Sequence, residues 1–231
     1  MKKYIIIATI IFFPSVVYLF FSTGSVNFIH LPYYGPRDPI KTIVNGKEHT
    51  DTVYHAVPAF SFTNYDGRVI SDKTFAGKIY VANFFFTTCK TICPKMTSGM
   101  KRIEERFKSY PKLLFLSHTV NPQLDTLNAL RAFANYYQAD SSRWFFVRGD
   151  KKAIYDIGIN GYLLPVGDDA KAEGGVLHSE MLVLVDKEKH IRGFYDGTSP
   201  AAMETMVDDI KTLIAEYEKH NKSRNKITQG K

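Results

Sequence analysis

The 231-residue chain has two cysteines, four positions apart, in Phe86-Thr87-Thr88-Cys89-Lys90-Thr91-Ile92-Cys93-Pro94. Two thiols cannot make a disulfide-dense scaffold or a four-cysteine zinc site. They follow the strongly apolar run Ile79–Phe86 and precede 94–109, where Met96, Met100, Ile103 and Phe107 recur at helical spacing. The pair is therefore predicted at a strand-to-helix junction, with Pro94 in the first turn, where its missing N–H would have had no partner. Helix N-termini favour negative charge, so the junction favours thiolates and points to a reactive or metal-binding pair. An inert disulfide or two packed thiols is the competing reading. Against it, a cross-link over four residues closes a tiny loop and stabilises little.

Seven histidines could add a nitrogen ligand. His178, in Gly174-Gly175-x-x-His178, closely precedes the apolar run Met181–Asp186. A histidine in a glycine-rich loop is ordinarily surface decoration. No proline occurs between Gly167 and Asp186, where a disulfide-exchange platform would carry a cis-proline, so a ligand is favoured here. His30, His49, His55, His190 and His220 fall in the linker, a hairpin or the tail and are read as solvated, while His118 is assigned no role. Met96 and Met100 are read as core rather than as thioether ligands, because their spacing continues through Ile103 and Phe107.

The elements that must hold these residues alternate. Phe60–Phe62 and Ile79–Phe86 read as strands, with Asp66-Gly67 as a turn. A helix at 94–109, a strand at 113–119, a helix near 125–138 and a strand at 144–148 follow. A short helix at 151–158, strands at 181–186 and 191–195, and a last helix at 199–218 complete the series. The order predicts an α/β fold of thioredoxin-like type, a central mixed β-sheet flanked by helices, over 58–218. Residues 26–57 carry Pro32, Gly35, Pro36, Pro39 and Gly46 and read as a linker laid along the domain. Residues 4–21 are 18 uncharged, mostly apolar residues behind Lys2 and Lys3, about the minimum for a transmembrane helix, so 1–25 is predicted to be a retained membrane anchor. The remainder would lie outside the cytoplasm. The competing cleaved signal peptide has a shorter apolar region and a small-residue cleavage site, which this stretch lacks.

The formal charge of +7 is concentrated at one end: Lys219, Lys222, Arg224, Lys226 and Lys231 form a basic, flexible tail (219–231) with no acid after Glu218. No nucleic-acid motif is present, and no nucleic-acid partner is expected. Hydrophobic content of 45% with 23% charged residues excludes wholesale disorder and a multi-span membrane protein.

Over roughly 57–217 the sequence resembles the Sco/SenC copper proteins. The resemblance rests on Gly77-Lys78 and the strand into Thr87-x-Cys89-x-x-x-Cys93-Pro94, on Pro122-x-x-Asp125-Thr126, on Trp144 leading to Gly149, and on His178 before Met181–Asp186. It implies a thioredoxin-like domain, anchored by one span in the cytoplasmic membrane, whose metal ligands are Cys89, Cys93 and His178. It implies one bound copper as Cu(I) or Cu(II), a set of two sulfurs and one nitrogen that suits either state. It also implies a monomeric metallochaperone that delivers copper to a respiratory oxidase subunit and reduces that subunit's cysteines. Two departures concern docking or redox tuning: Asn121, where family members carry an acid, and His118, where a small or apolar residue is usual. A thiol-disulfide oxidoreductase acting on exported proteins, with Cys89 attacking and Cys93 resolving, is the alternative; it leaves His178 idle. A peroxidase is disfavoured for want of an activating arginine motif.

Overall fold

The computed structural model describes residues 12–15, 30–44, 47–171, 175–177 and 179–229, with the side chains of 44, 47, 176 and 220–229 left aside. The predicted anchor, apart from 12–15, and His178 lie outside the described residues. Among the described residues no helix is long and apolar enough to cross a membrane.

From Leu31 onward the chain forms one compact unit. Strands β1 (Arg37–Val44) and β2 (Lys47–Tyr54) make a separate antiparallel hairpin. Then come β3 (Ser61–Asn64), β4 (Val69–Ser71), a 3-10 turn (Asp72–Phe75), β5 (Ile79–Phe85), α1 (Cys93–Arg106), β6 (Leu113–Thr119), α2 (Leu127–Tyr136) and β7 (Trp144–Arg148). Helix α3 (Lys151–Asp156) continues as a π-type turn (Ile157–Gly161). The short pair β8 (Gly167–Asp168) and β9 (Val176–Leu177), strands β10 (Met181–Val185) and β11 (Ile191–Asp196), and α4 (Pro200–Gln229) follow.

Seven strands form one mixed sheet in the order β11-β10-β5-β6-β7-β3-β4. The central trio β5-β6-β7 is parallel and the outer strands pair antiparallel. Every residue of β5 and β6 is buried, as expected of parallel strands covered on both faces. On one face Trp144 Nε1 donates to Ser117 Oγ (2.9 Å), which donates to Asn83 Oδ1 (2.7 Å), so three buried polar groups satisfy one another. Phe133 of α2 packs against Phe85 of the same face, the two rings tilted at 37°.

The opposite face carries an anomaly. His118, in register with Phe84, is fully buried among Phe84, Tyr162, Phe62 and Phe60, with ring centroids 4.9, 5.3, 5.6 and 6.1 Å away. Neither ring nitrogen has a hydrogen-bond partner among the described residues. Loss of hydration pushes its pKa from 6.5 down to about 3, against a weaker upward influence from the Asn83 backbone, so the ring stays neutral.

Two features depart from the sequence reading. The stretch read as linker holds the β1–β2 hairpin, for which the cue was present: Asn45-Gly46 lies between segments rich in β-branched residues, and pairing of Val44 with Lys47 leaves those two residues as the connection. The last helix runs to Gln229 rather than stopping at Glu218, because the tail has no proline or glycine before Gly230.

A buried ionic cluster ties the two ends of this unit to its middle. Arg192, in β11, donates to Asp186 Oδ2 (3.0 Å), Glu216 Oε2 of α4 (3.0 Å), and the carbonyls of Leu31 (2.7 Å) and Pro32 (3.2 Å). Glu216 also accepts the Leu31 N–H, and Tyr33 covers the guanidinium with its ring 4.3 Å away. Residues 31–34 are thereby pinned against the β10–β11 hairpin and α4.

Removing one member of such a cluster leaves buried charge uncompensated, so Arg192→Ala is expected to lower unfolding free energy by about 3–5 kcal/mol in urea titration. The neutral His118 makes a second prediction. The unfolded chain takes up a proton below pH 6.5 that the folded chain refuses until about pH 3, so stability present above pH 6.5 is lost on acidification across that window. Between pH 6.5 and 4.5 the loss attributable to His118 is about 3 kcal/mol, read as the difference in slope between wild type and His118→Phe.

Candidate functional site

The cysteines stand where β5 ends and α1 begins. Cys89 is 6% exposed and Cys93 fully buried, and both are thiols. Cys93 opens α1 with Pro94 behind it, and the N-cap residue, Ile92, makes no side-chain cap. The amide N–H of Cys93, an N-terminal donor that the helix itself cannot use, points at Cys89 Sγ, 3.4 Å away. Thr91 Oγ1 lies 3.8 Å from the same sulfur. The first turn of α1 contains no acid, and Lys90 and Lys95 bracket the pair in sequence. Met96 and Met100 are fully buried in the core, as their spacing predicted.

Behind the cysteine loop lies Asp125, which sequence reading placed only within a motif. It is fully buried and accepts from the Thr87 N–H (3.2 Å to each oxygen), the Thr87 hydroxyl (2.5 Å) and the Thr119 hydroxyl. Thr119 Oγ1 accepts in turn from the Asn121 N–H (3.1 Å). Asp125 thus joins the end of β6 to the residue two places before Cys89. Tyr137 lies just beyond α2. Burial chiefly raises the pKa of its hydroxyl, with smaller upward contributions from Tyr136, Cys93 and Cys89.

Residue 178, the third site residue expected from the sequence, is not among those described, and the described residues include no group of three ligating side chains. The described strand that follows it in sequence, β10, is informative. Strand β10 runs antiparallel to β5, with Val183 opposite Ala82 and Val185 opposite Tyr80. The chain therefore enters β10 at the end of the sheet from which β5 releases the cysteine loop. The β8–β9 pair that precedes this entry is tied to α3, because Asp168 accepts from Lys151 (2.5 Å) and from the Tyr155 hydroxyl (2.9 Å). An open groove of about 530 Å³, lined by Leu163, Pro165, Leu177, Met181 and Phe194, flanks the entry. Of the histidines read as solvated, His55 and His190 are half-buried, and His55 Nε2 lies 2.8 Å from the Gly161 carbonyl oxygen.

The SCO1/SenC family model matches residues 48–215. A SCO1/SenC family lipoprotein from Bacillus anthracis is 31% identical with a TM-score of 0.64, over 69% of this chain and 95% of that one. BsSco, described through a disulfide switch and as a member of the Sco family of cytochrome c oxidase assembly proteins, is 28% identical with a TM-score of 0.60, over 69% of this chain and 93% of its own. Arabidopsis thaliana ScoI, solved with copper bound, shares the fold at 19% identity and a TM-score of 0.57, over 68% of this chain and 98% of that one. These likenesses establish the thioredoxin-like fold.

Exposure and the Cys93 N–H both distinguish Cys89 as the more reactive thiol. Native-state alkylation followed by mass spectrometry is expected to modify Cys89 in Cys93→Ser on the order of tenfold faster than Cys93 in Cys89→Ser.

Proposed function

The chain belongs to the SCO1/SenC family, and from that footing we propose that it is a copper metallochaperone: it binds one copper ion through Cys89, Cys93 and His178 and passes it to a cytochrome c oxidase subunit. The observation that carries the reading is the thiol pair at the α1 N-terminus, with the Cys93 N–H on Cys89 Sγ, at the end of the sheet where β10 begins. Thiolate sulfur is a soft donor suited to Cu(I) and imidazole accommodates Cu(II), so the proposed set tolerates both states. Few protein ligands leave the cargo open to exchange with an acceptor's own cysteines. The same dithiol serves a preparatory step: it gives two electrons and two protons to a disulfide in the acceptor, freeing two thiols there and closing Cys89–Cys93 as a disulfide. The groove beside Leu177 and Met181 offers apolar surface on which an acceptor can dock.

The apolar run 4–21 behind Lys2 and Lys3 supports a single-pass anchor in the cytoplasmic membrane, with the folded domain on the extracytoplasmic side, where an oxidase subunit would expose its copper site. The proposed division is an anchor at 1–25, a linker region at 26–57 that from Leu31 onward is part of the compact unit, a copper-binding domain at 58–218 and a basic tail at 219–231 that continues α4 as far as Gln229.

Titration of the purified full-length protein with Cu(I) against a competing chelator tests the assignment. One ion per chain is expected in the dithiol form and none in the disulfide form. His178→Ala is expected to weaken binding by more than the about 10–100-fold that changes outside the ligand shell typically cost. Unchanged affinity in that variant would remove the imidazole from the ligand set.

A further inference from the structure

Among the described residues the hydrogen bonds of Asp125 go to Thr87 and Thr119 and not to either sulfur, yet its position is unusual for a structural carboxylate. It is fully buried, and the partners described for it are neutral donors: the Thr87 N–H and hydroxyl and the Thr119 hydroxyl. Burying a carboxylate is costly unless several donors compensate it, so this residue must make up its cost by holding something in place. What it holds is Thr87. Between the end of β5 at Phe85 and the start of α1 at Cys93 the chain forms no strand or helix, and the Cys89 N–H bonds the Phe86 carbonyl at 3.3 Å.

We infer that Asp125 is a positioning residue for the copper site: through the Thr87 amide and hydroxyl it fixes the loop so that Cys89 Sγ stays within reach of the Cys93 N–H. This inference rests on the proposed copper reading and assigns a role to a residue outside the proposed ligand set. The clamp spans both sides of the loop's origin, since Thr87 follows β5 and Thr119 ends β6, the neighbouring parallel strand in which Thr119 lies opposite Phe85. The Val120 N–H bonds the Phe85 carbonyl at 2.9 Å, so the two strand ends are already in contact where the carboxylate bridges them. Loss of the clamp would leave the sheet intact and free the loop, which would then have to be ordered when the ion binds, lowering affinity.

The test compares Thr87→Val, which removes the hydroxyl donor while keeping shape and backbone N–H, with Thr87→Ser, which keeps the donor, and with Asp125→Asn. Two measurements are made on the full-length protein. The first is backbone hydrogen exchange of the metal-free dithiol form at residues 87–93 and in β5 and β6. The second is Cu(I) affinity by competition. Thr87→Val and Asp125→Asn are expected to speed exchange in 87–93 but not in the strands, and to weaken copper binding by about 10–100-fold, while Thr87→Ser retains wild-type values in both. Wild-type exchange and affinity in Thr87→Val overturns the inference. So does faster loop exchange with unchanged affinity, which would make the clamp purely structural, and so does weakened affinity with no change in loop exchange. Should Asp125→Asn fail to fold, the two Thr87 variants decide the matter alone. If wild-type protein binds no copper, the chaperone reading fails, and the exchange measurement still reports whether the clamp orders the loop.

Discussion

A helix that starts a short loop after a buried strand has amide groups at its first turn with no helix carbonyl to receive them, and in this protein a sulfur atom takes one. The Cys93 N–H directed at Cys89 Sγ sets the separation of the two thiols, orients the loop between them and places both in the positive field of the α1 terminus. The surrounding structure follows from keeping that terminus where it is. The buried run of β5 fixes the point of departure, Pro94 commits the chain to the helix, and Met96, Met100 and Ile103 seal the helix to the core.

Polar groups in the interior are handled in two contrasting ways. Asn83, Ser117 and Trp144 form a closed relay in which each donor finds an acceptor, and Arg192 distributes its charge over two carboxylates and two carbonyls. His118 goes the other way. Held flat against Phe84, it behaves as an aromatic space-filler whose nitrogens contribute no bonds among the described residues. Its stability cost falls on the acid side, where a phenylalanine would carry none.

The parallel core, its helices and the two-sulfur junction were legible because each left a local mark. Ile79–Phe86 is uninterrupted apolar sequence, Met96 to Phe107 keeps helical spacing, and Cys-x-x-x-Cys-Pro marks a helix start. The hairpin at Arg37–Tyr54 was obscured by the prolines around it, although Asn45-Gly46 is a strong two-residue turn signal. The role of Asp125 was illegible because it depends on Thr87, thirty-eight positions away, and no periodicity encodes a contact between the ends of two adjacent strands.

The pinning of Leu31 and Pro32 by Arg192 and Glu216 bears on where this protein can be cut. A recombinant fragment beginning at the first sheet strand, near Ser61, would match the compact domain by eye yet leave the guanidinium and Glu216 facing bulk solvent through the gap left by the missing strap. The smallest piece that keeps its interior sealed begins at or before Leu31, so the segment that looks like a leash in the sequence is part of the wall.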